Sequence, residues 1–166
     1  MRMKPSDFGE NWSKWDVLMK SQCDEFEVPW LWMKAIMIDE SSLGLNPRVA
    51  RGLIQPDDVE GSVSEDGKSW GLLQLRPETA RDFDIIANAQ KLNNPDYTIR
   101  IGAKLLRRLY KAEGGVEEFV IKSWNEGQGA ANRERVGLSS GHADEYWRRY
   151  LLNKDLISQH HATPEV

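Results

Sequence analysis

The chain has 166 residues, 40% of them hydrophobic and 29% charged, which suits one domain around one core and excludes a disordered or fibrous chain. Lys and Arg number 22 against 26 Asp and Glu, so the net charge of −4 excludes a nucleic-acid binder working through a basic face, and docking to anionic membranes. The single Cys23 cannot form an internal disulfide and reads as a buried thiol; no Cys/His group has zinc-ligand spacing, so neither metal nor cofactor is expected.

The start, Met1 to Asp7, is basic but has no apolar run behind it, so it does not read as a secretory signal. The expectation is synthesis in the cytoplasm, with delivery to any outside target by another agent. A first helix is predicted from Glu10 to Gln22, with Trp12, Trp15, Leu18 and Met19 on one face. Pro29 then stands where a helix can begin without losing a hydrogen bond. The run Trp30 to Ile38 is apolar nearly all round, the mark of a helix buried mid-domain, and it is far short of the ~20 residues that span a bilayer. It ends abruptly in Asp39-Glu40-Ser41-Ser42.

From Gly52 to Gly71 the helical period disappears, and Ser62 to Trp70 reads as a short hairpin around Asp66-Gly67. Pro77 opens a helix through Phe83. Pro95 opens a longer one with a stripe of Ile99, Gly102, Ala103, Leu106 and Tyr110, stopped by Gly114-Gly115. Val116, Phe119, Val120, Ser123 and Trp124 are spaced for another, ending at Gly127. A last helix is predicted from His142 to Leu152, burying Tyr146, Trp147, Tyr150 and Leu151, with His160 and His161 in a frayed tail. The fold class is mainly α: a helical bundle with a small β-hairpin region lining a groove. Helical spacing assigns Trp12, Trp15, Trp30 and Trp147 to the core; Trp70 and Trp124 suit either packing or stacking on sugar rings.

Glu40 stands out. At the C-terminal end of a buried helix, desolvation and the helix dipole both penalise a carboxylate and raise its pKa. A raised carboxyl pKa is what a general acid working near neutral pH needs. The other reading is a solvated Glu just past a helix end.

Four segments in order bear on that choice: Glu40-Ser41 with Asn46-Pro47; Gly71-Leu72-Leu73-Gln74; Asn94-Pro95 leading to Ile99-Arg100-Ile101-Gly102-Ala103; and Ser123-Trp124-Asn125-Glu126-Gly127. Together they resemble the soluble lytic transglycosylase domain, a relative of goose-type lysozymes, over residues 31–150. Residues 1–28 would then be an N-terminal helical extension and 153–166 a tail of a single domain spanning 1–166. The resemblance implies a lysozyme-like fold and cleavage of the β-1,4 bond between MurNAc and GlcNAc in peptidoglycan. It also implies Glu40 as the single catalytic acid. Ser41, Trp70, Gly71, Leu72, Gln74, Trp124, Asn125 and Tyr146 would bind substrate. Gly71 would let the backbone approach the sugar. Gln74 offers an amide for an N-acetyl group. Asn125 would bond to substrate or position Glu40, and Tyr146 would face the groove or simply pack in the core.

The departures are specific. Trp124 stands for the family's usual Tyr, exchanging a hydroxyl for an indole donor, and Ser123 for the small apolar residue before it. Val49-Ala50-Arg51 follows Asn46-Pro47 where many members have a small polar residue. The stretch between Glu40 and Gln74 is longer than in compact members and carries Asp57, Asp58, Glu60, Glu65 and Asp66, read as solvated loop charges, a water-activating acid or a weak calcium site. The expected partner is the peptidoglycan glycan strand, the expected state a monomer, and the expected setting phage lysis or virion-borne delivery. A goose-type muramidase and a silent glycan-binding module are the alternatives.

Overall fold

The apolar run after Pro29 forms a helix with almost no exposed face, and the other helices are laid around it. The computed structural model describes residues 4–45 and 68–160. Asn46-Pro47, Val49-Ala50-Arg51, the acidic stretch with Asp57, Asp58, Glu60, Glu65 and Asp66, most of the expected hairpin over 62–70, and His161 lie outside those residues. Among the described residues a 3-10 turn (Pro5–Phe8) precedes α1 (Asn11–Lys14), α2 (Asp16–Glu25), α3 (Trp30–Ser41), α4 (Pro77–Ala80) and α5 (Ala89–Leu92). Then follow α6 (Pro95–Ala112), α7 (Glu117–Glu126), α8 (Ala130–Arg135) and α9 (Gly141–His160). The expected mainly α architecture is the one that forms.

In α3, Met33, Ile36 and Met37 are fully buried, and burial of each such side chain stabilises by about 1.5–3 kcal/mol. Helices α2, α6 and α9 pack on α3, while α7 bridges α6 and α9. Gly102 lets the chain before α4 close onto α6, because a Cβ there would lie 2.3 Å from Leu73 Cδ1.

Three helices differ from their predicted bounds. The first is split at Trp15, because Lys34, 0% exposed on α3, donates from Nζ to the Trp12 carbonyl at 2.6 Å and to Asp16 Oδ1 at 2.8 Å. An unbroken helix would need that carbonyl for the Asp16 N–H. The helix opened by Pro77 ends at Ala80 and continues only as turns through Phe83. The last helix runs on to His160 instead of ending at Leu152. Leu156 and Ile157 are buried, Asn153 Nδ2 donates to the Ala35 carbonyl at 3.2 Å, and Lys154 pairs with Glu117 at 2.7 Å. The residues expected to begin a frayed tail therefore pack on α3 and α7, and Leu151 is exposed rather than buried.

Candidate active site

Glu40 is delivered by the last turn of α3, and the chain reverses immediately after it. Ser42, Leu43 and Gly44 have φ values of 53°, 56° and 90°, three left-handed residues in a row. The reversal is fastened from two sides. Ser41 Oγ accepts the Gly44 N–H at 3.0 Å, while Asn11 Nδ2 and Trp15 Nε1 donate to the Leu43 carbonyl at 2.9 and 3.2 Å. Ser41 is buried and outside the cleft lining, and its hydroxyl is committed to the turn.

The Glu40 carboxyl is half-buried. Tyr146, 2% exposed on α9, donates its hydroxyl to Oε2 at 2.9 Å, and the Trp124 indole on α7 lies near enough to lower the Glu40 pKa. Beside it, Arg149 Nε holds Asp39 Oδ1 at 2.8 Å, with the guanidinium 5.6 Å from the Tyr146 ring. Burial pushes the Glu40 pKa up to about 8. The Tyr146 hydrogen bond pulls it down, the Asp39 charge raises it again, and Trp124 and Arg149 lower it. Burial and the neighbouring carboxylates hold the Tyr146 phenol far above its ordinary value, so it stays a donor.

This carboxyl opens into a cleft of about 450 Å³. One wall is Gln74 to Arg76 with Thr79, the floor is Leu105 and Leu109 of α6, and the other wall is Trp124 to Gln128. The first wall hangs from a tight turn closed by Trp70 and Leu75, whose backbones exchange hydrogen bonds of 2.9 and 3.1 Å. That bridge is the only strand-like pairing among the described residues. Gln74 lies in this wall with φ 51°, its side-chain amide donating to the Gly71 carbonyl at 2.7 Å.

The turn also corrects two expectations. Gly71 has φ +77°, and a Cβ there would sit 2.1 Å from the Leu92 carbonyl oxygen, so its missing side chain admits protein backbone instead of a sugar. Leu72 is 1% exposed and packs in the core. Trp70 is half-buried against the core and outside the cleft lining, which favours the packing alternative for it. Trp124 lines the cleft beside Glu40; Asn125 stands exposed in the same wall.

Two carboxyls in and behind the cleft wall were not among the expected site residues. Glu126 lines the cleft, yet Arg133 Nε at 2.9 Å and Ser140 Oγ at 2.6 Å hold its two oxygens. Glu113 is buried behind the second wall and bonds to Ser123 at 2.8 Å. An acid where a helix ends, with the dipole against it, is the signal that could have marked Glu113.

A carboxyl whose pKa is raised by burial, held by the Tyr146 hydroxyl and facing an open cleft, has the properties a general acid needs. The chain belongs to the transglycosylase SLT domain family, whose model matches residues 18–145. Its members are lytic transglycosylases acting on peptidoglycan, and this protein is an enzyme of that kind. A search of curated proteins returned no match.

Proposed function

We propose that the protein cleaves the β-1,4 bond between MurNAc and GlcNAc and closes a 1,6-anhydro ring on MurNAc, with Glu40 as acid and then base. The observation that carries this reading is the Glu40 carboxyl, open to the cleft and protonated at neutral pH because its pKa stands at about 8. Glu40 gives its proton to the leaving glycosidic oxygen as the C1–O bond breaks. The N-acetyl carbonyl of MurNAc stabilises the developing positive charge at C1. The carboxylate left behind keeps the hydrogen bond from Tyr146, a donor in place before charge develops, and the nearby Trp124 indole also favours the charged form. It then takes the proton of the sugar's own 6-hydroxyl as that oxygen bonds to C1, which restores the acid. The nucleophile belongs to the substrate, so no water has to be activated.

Asn125 and Gln128 present amides to the cleft that suit the acetamido groups of the glycan. Gln74 adds a third from the opposite wall. Among the described residues the second carboxyl lining the cleft, Glu126, is engaged by Arg133 and Ser140, which argues against its serving as a base for water. No helix among the described residues is long and apolar enough to cross a membrane.

The test is mass spectrometry of muropeptides released from purified sacculi. Anhydro ends support the proposal, reducing ends make the enzyme a muramidase, and no release makes it a binding module. Single replacement of Asp57, Asp58, Glu60, Glu65 and Asp66 by the amide is expected to alter turnover only modestly. Loss of a water-activating base would instead cost ~10²-fold or more.

A further inference from the structure

Glu113 takes no part in the chemistry above, yet it is 8% exposed at the C-terminal end of α6. Its Oε1 accepts two hydrogen bonds of 2.8 Å, one from the Ser123 hydroxyl and one from the Gly129 N–H. Ser123 Oγ in turn accepts the Ala130 N–H at 3.2 Å. One carboxylate oxygen thus joins the end of α6, the last turn of α7 and the first turn of α8.

The cleft wall hangs between these ties. Ser123 immediately precedes Trp124, which lines the cleft with Glu40, and Gly129 immediately follows Gln128. Between them, Arg133 donates to the Gly127 carbonyl at 2.6 Å and to the Gln128 carbonyl at 2.9 Å. The turn contains two left-handed glycines, Gly127 at φ +99° and Gly129 at φ +105°. Glycines at such angles have little conformational preference of their own, so the shape of the wall must be imposed from outside. A buried acceptor that takes both bonds on one oxygen does this by holding the Ser123 hydroxyl and the Gly129 N–H at a single point. It also commits the Ser123 proton, which turns the hydroxyl lone pair to Ala130.

We propose that Glu113 is a positioning residue: acting through Ser123 and Gly129, it sets where Trp124, Asn125 and Gln128 stand relative to Glu40. The inference rests on the glycan-cleaving reading of the cleft for its kinetic consequences, but not for its geometry.

The experiment compares Glu113→Gln, Glu113→Leu and Ser123→Ala below their melting temperatures in two readouts. The first is kcat and KM on purified sacculi. The second is the indole N–H resonance of Trp124 in nitrogen-15-labelled protein, assigned with Trp124→Phe. The Gln amide oxygen can accept both bonds, so that variant should keep kcat/KM and the resonance close to wild type. Glu113→Leu should lower kcat/KM by about tenfold or more, the scale of small misplacements in active sites, and move the resonance. Ser123→Ala should move both in the same direction by less, and it carries the test if Glu113→Leu does not fold. Unchanged kcat/KM and resonance in folded Glu113→Leu or Ser123→Ala, whatever their melting temperatures, would overturn the proposal. If the wild type releases no muropeptides, the reading of the cleft fails, while the Trp124 resonance still decides the role of Glu113.

Discussion

Glu40 and Glu113 occupy similar places, one in the last turn of α3 and the other capping α6, where the helix dipole works against a carboxylate. Around Glu113, a serine hydroxyl and a backbone N–H fill one oxygen, and the group is sealed behind the cleft wall. Around Glu40 the donor is a phenol on a long side chain with an indole close by, and the carboxyl faces the cleft. A helix end and burial therefore do not by themselves make an acid reactive. On the proposed mechanism, access for the substrate is what separates the Glu40 carboxyl from that of Glu113.

The sharpest way to break this comparison is to make one substitution at both sites. Glu40→Gln should reduce muropeptide release by at least the 10²–10⁴-fold that a general acid–base group contributes, whereas Glu113→Gln should remain active. The two should differ in stability as well. Because the folded pKa of Glu40 stands at about 8, above the ordinary 4.5, the native state favours the protonated form. Stability is then fully present below pH 4.5 and declines as pH rises toward 8. Glu40→Gln should therefore raise the melting temperature at pH 8 and leave it unchanged at pH 4, as calorimetry would read.

A smaller effect is expected from the donors. Tyr146→Phe removes the bond that lowers the Glu40 pKa most, so kcat should fall about tenfold, as hydrogen bonds to charged groups are worth ~1.5–3 kcal/mol. The alkaline limb of the activity profile, expected near pH 8 in wild type, should move upward. Trp124→Phe should act in the same direction more weakly. A limb that stays in place in Tyr146→Phe would separate the phenol from the acid. Arg149→Met should have the smallest effect. The Arg149 side chain is 44% exposed, so its ion pair with Asp39 is worth at most about 1 kcal/mol of unfolding free energy. Loss of the guanidinium charge should also raise the Glu40 limb slightly, measurable in the same profiles.

The helical frame was readable because its signals are local. The all-round apolar run set α3, Pro95 and Gly114-Gly115 bracketed α6, and Gly127 ended α7. What escaped depends on partners distant in sequence. The break at Trp15 follows from Lys34 taking the Trp12 carbonyl, and the length of α9 follows from what α3 and α7 offer it. At the site, Glu40 stood out because apolar neighbours in sequence foretold its desolvation. Ser41, Gly71 and Leu72 were expected on the substrate side because motifs record which residues recur, without recording which way each faces. Their contacts in the structure run to Gly44, Leu92 and the core.

The fastening around the end of α3 has a bearing on how portable this enzyme is. Asn11 and Trp15, which grip the Leu43 carbonyl, precede the family match, while Tyr146 and Arg149 follow it. A fragment trimmed to residues 18–145 would carry every recognisable motif, including Glu40, yet lack the phenol on the acid and the grip on the turn behind it. Swapping or grafting this module thus requires α1 and the whole of α9 to travel with it.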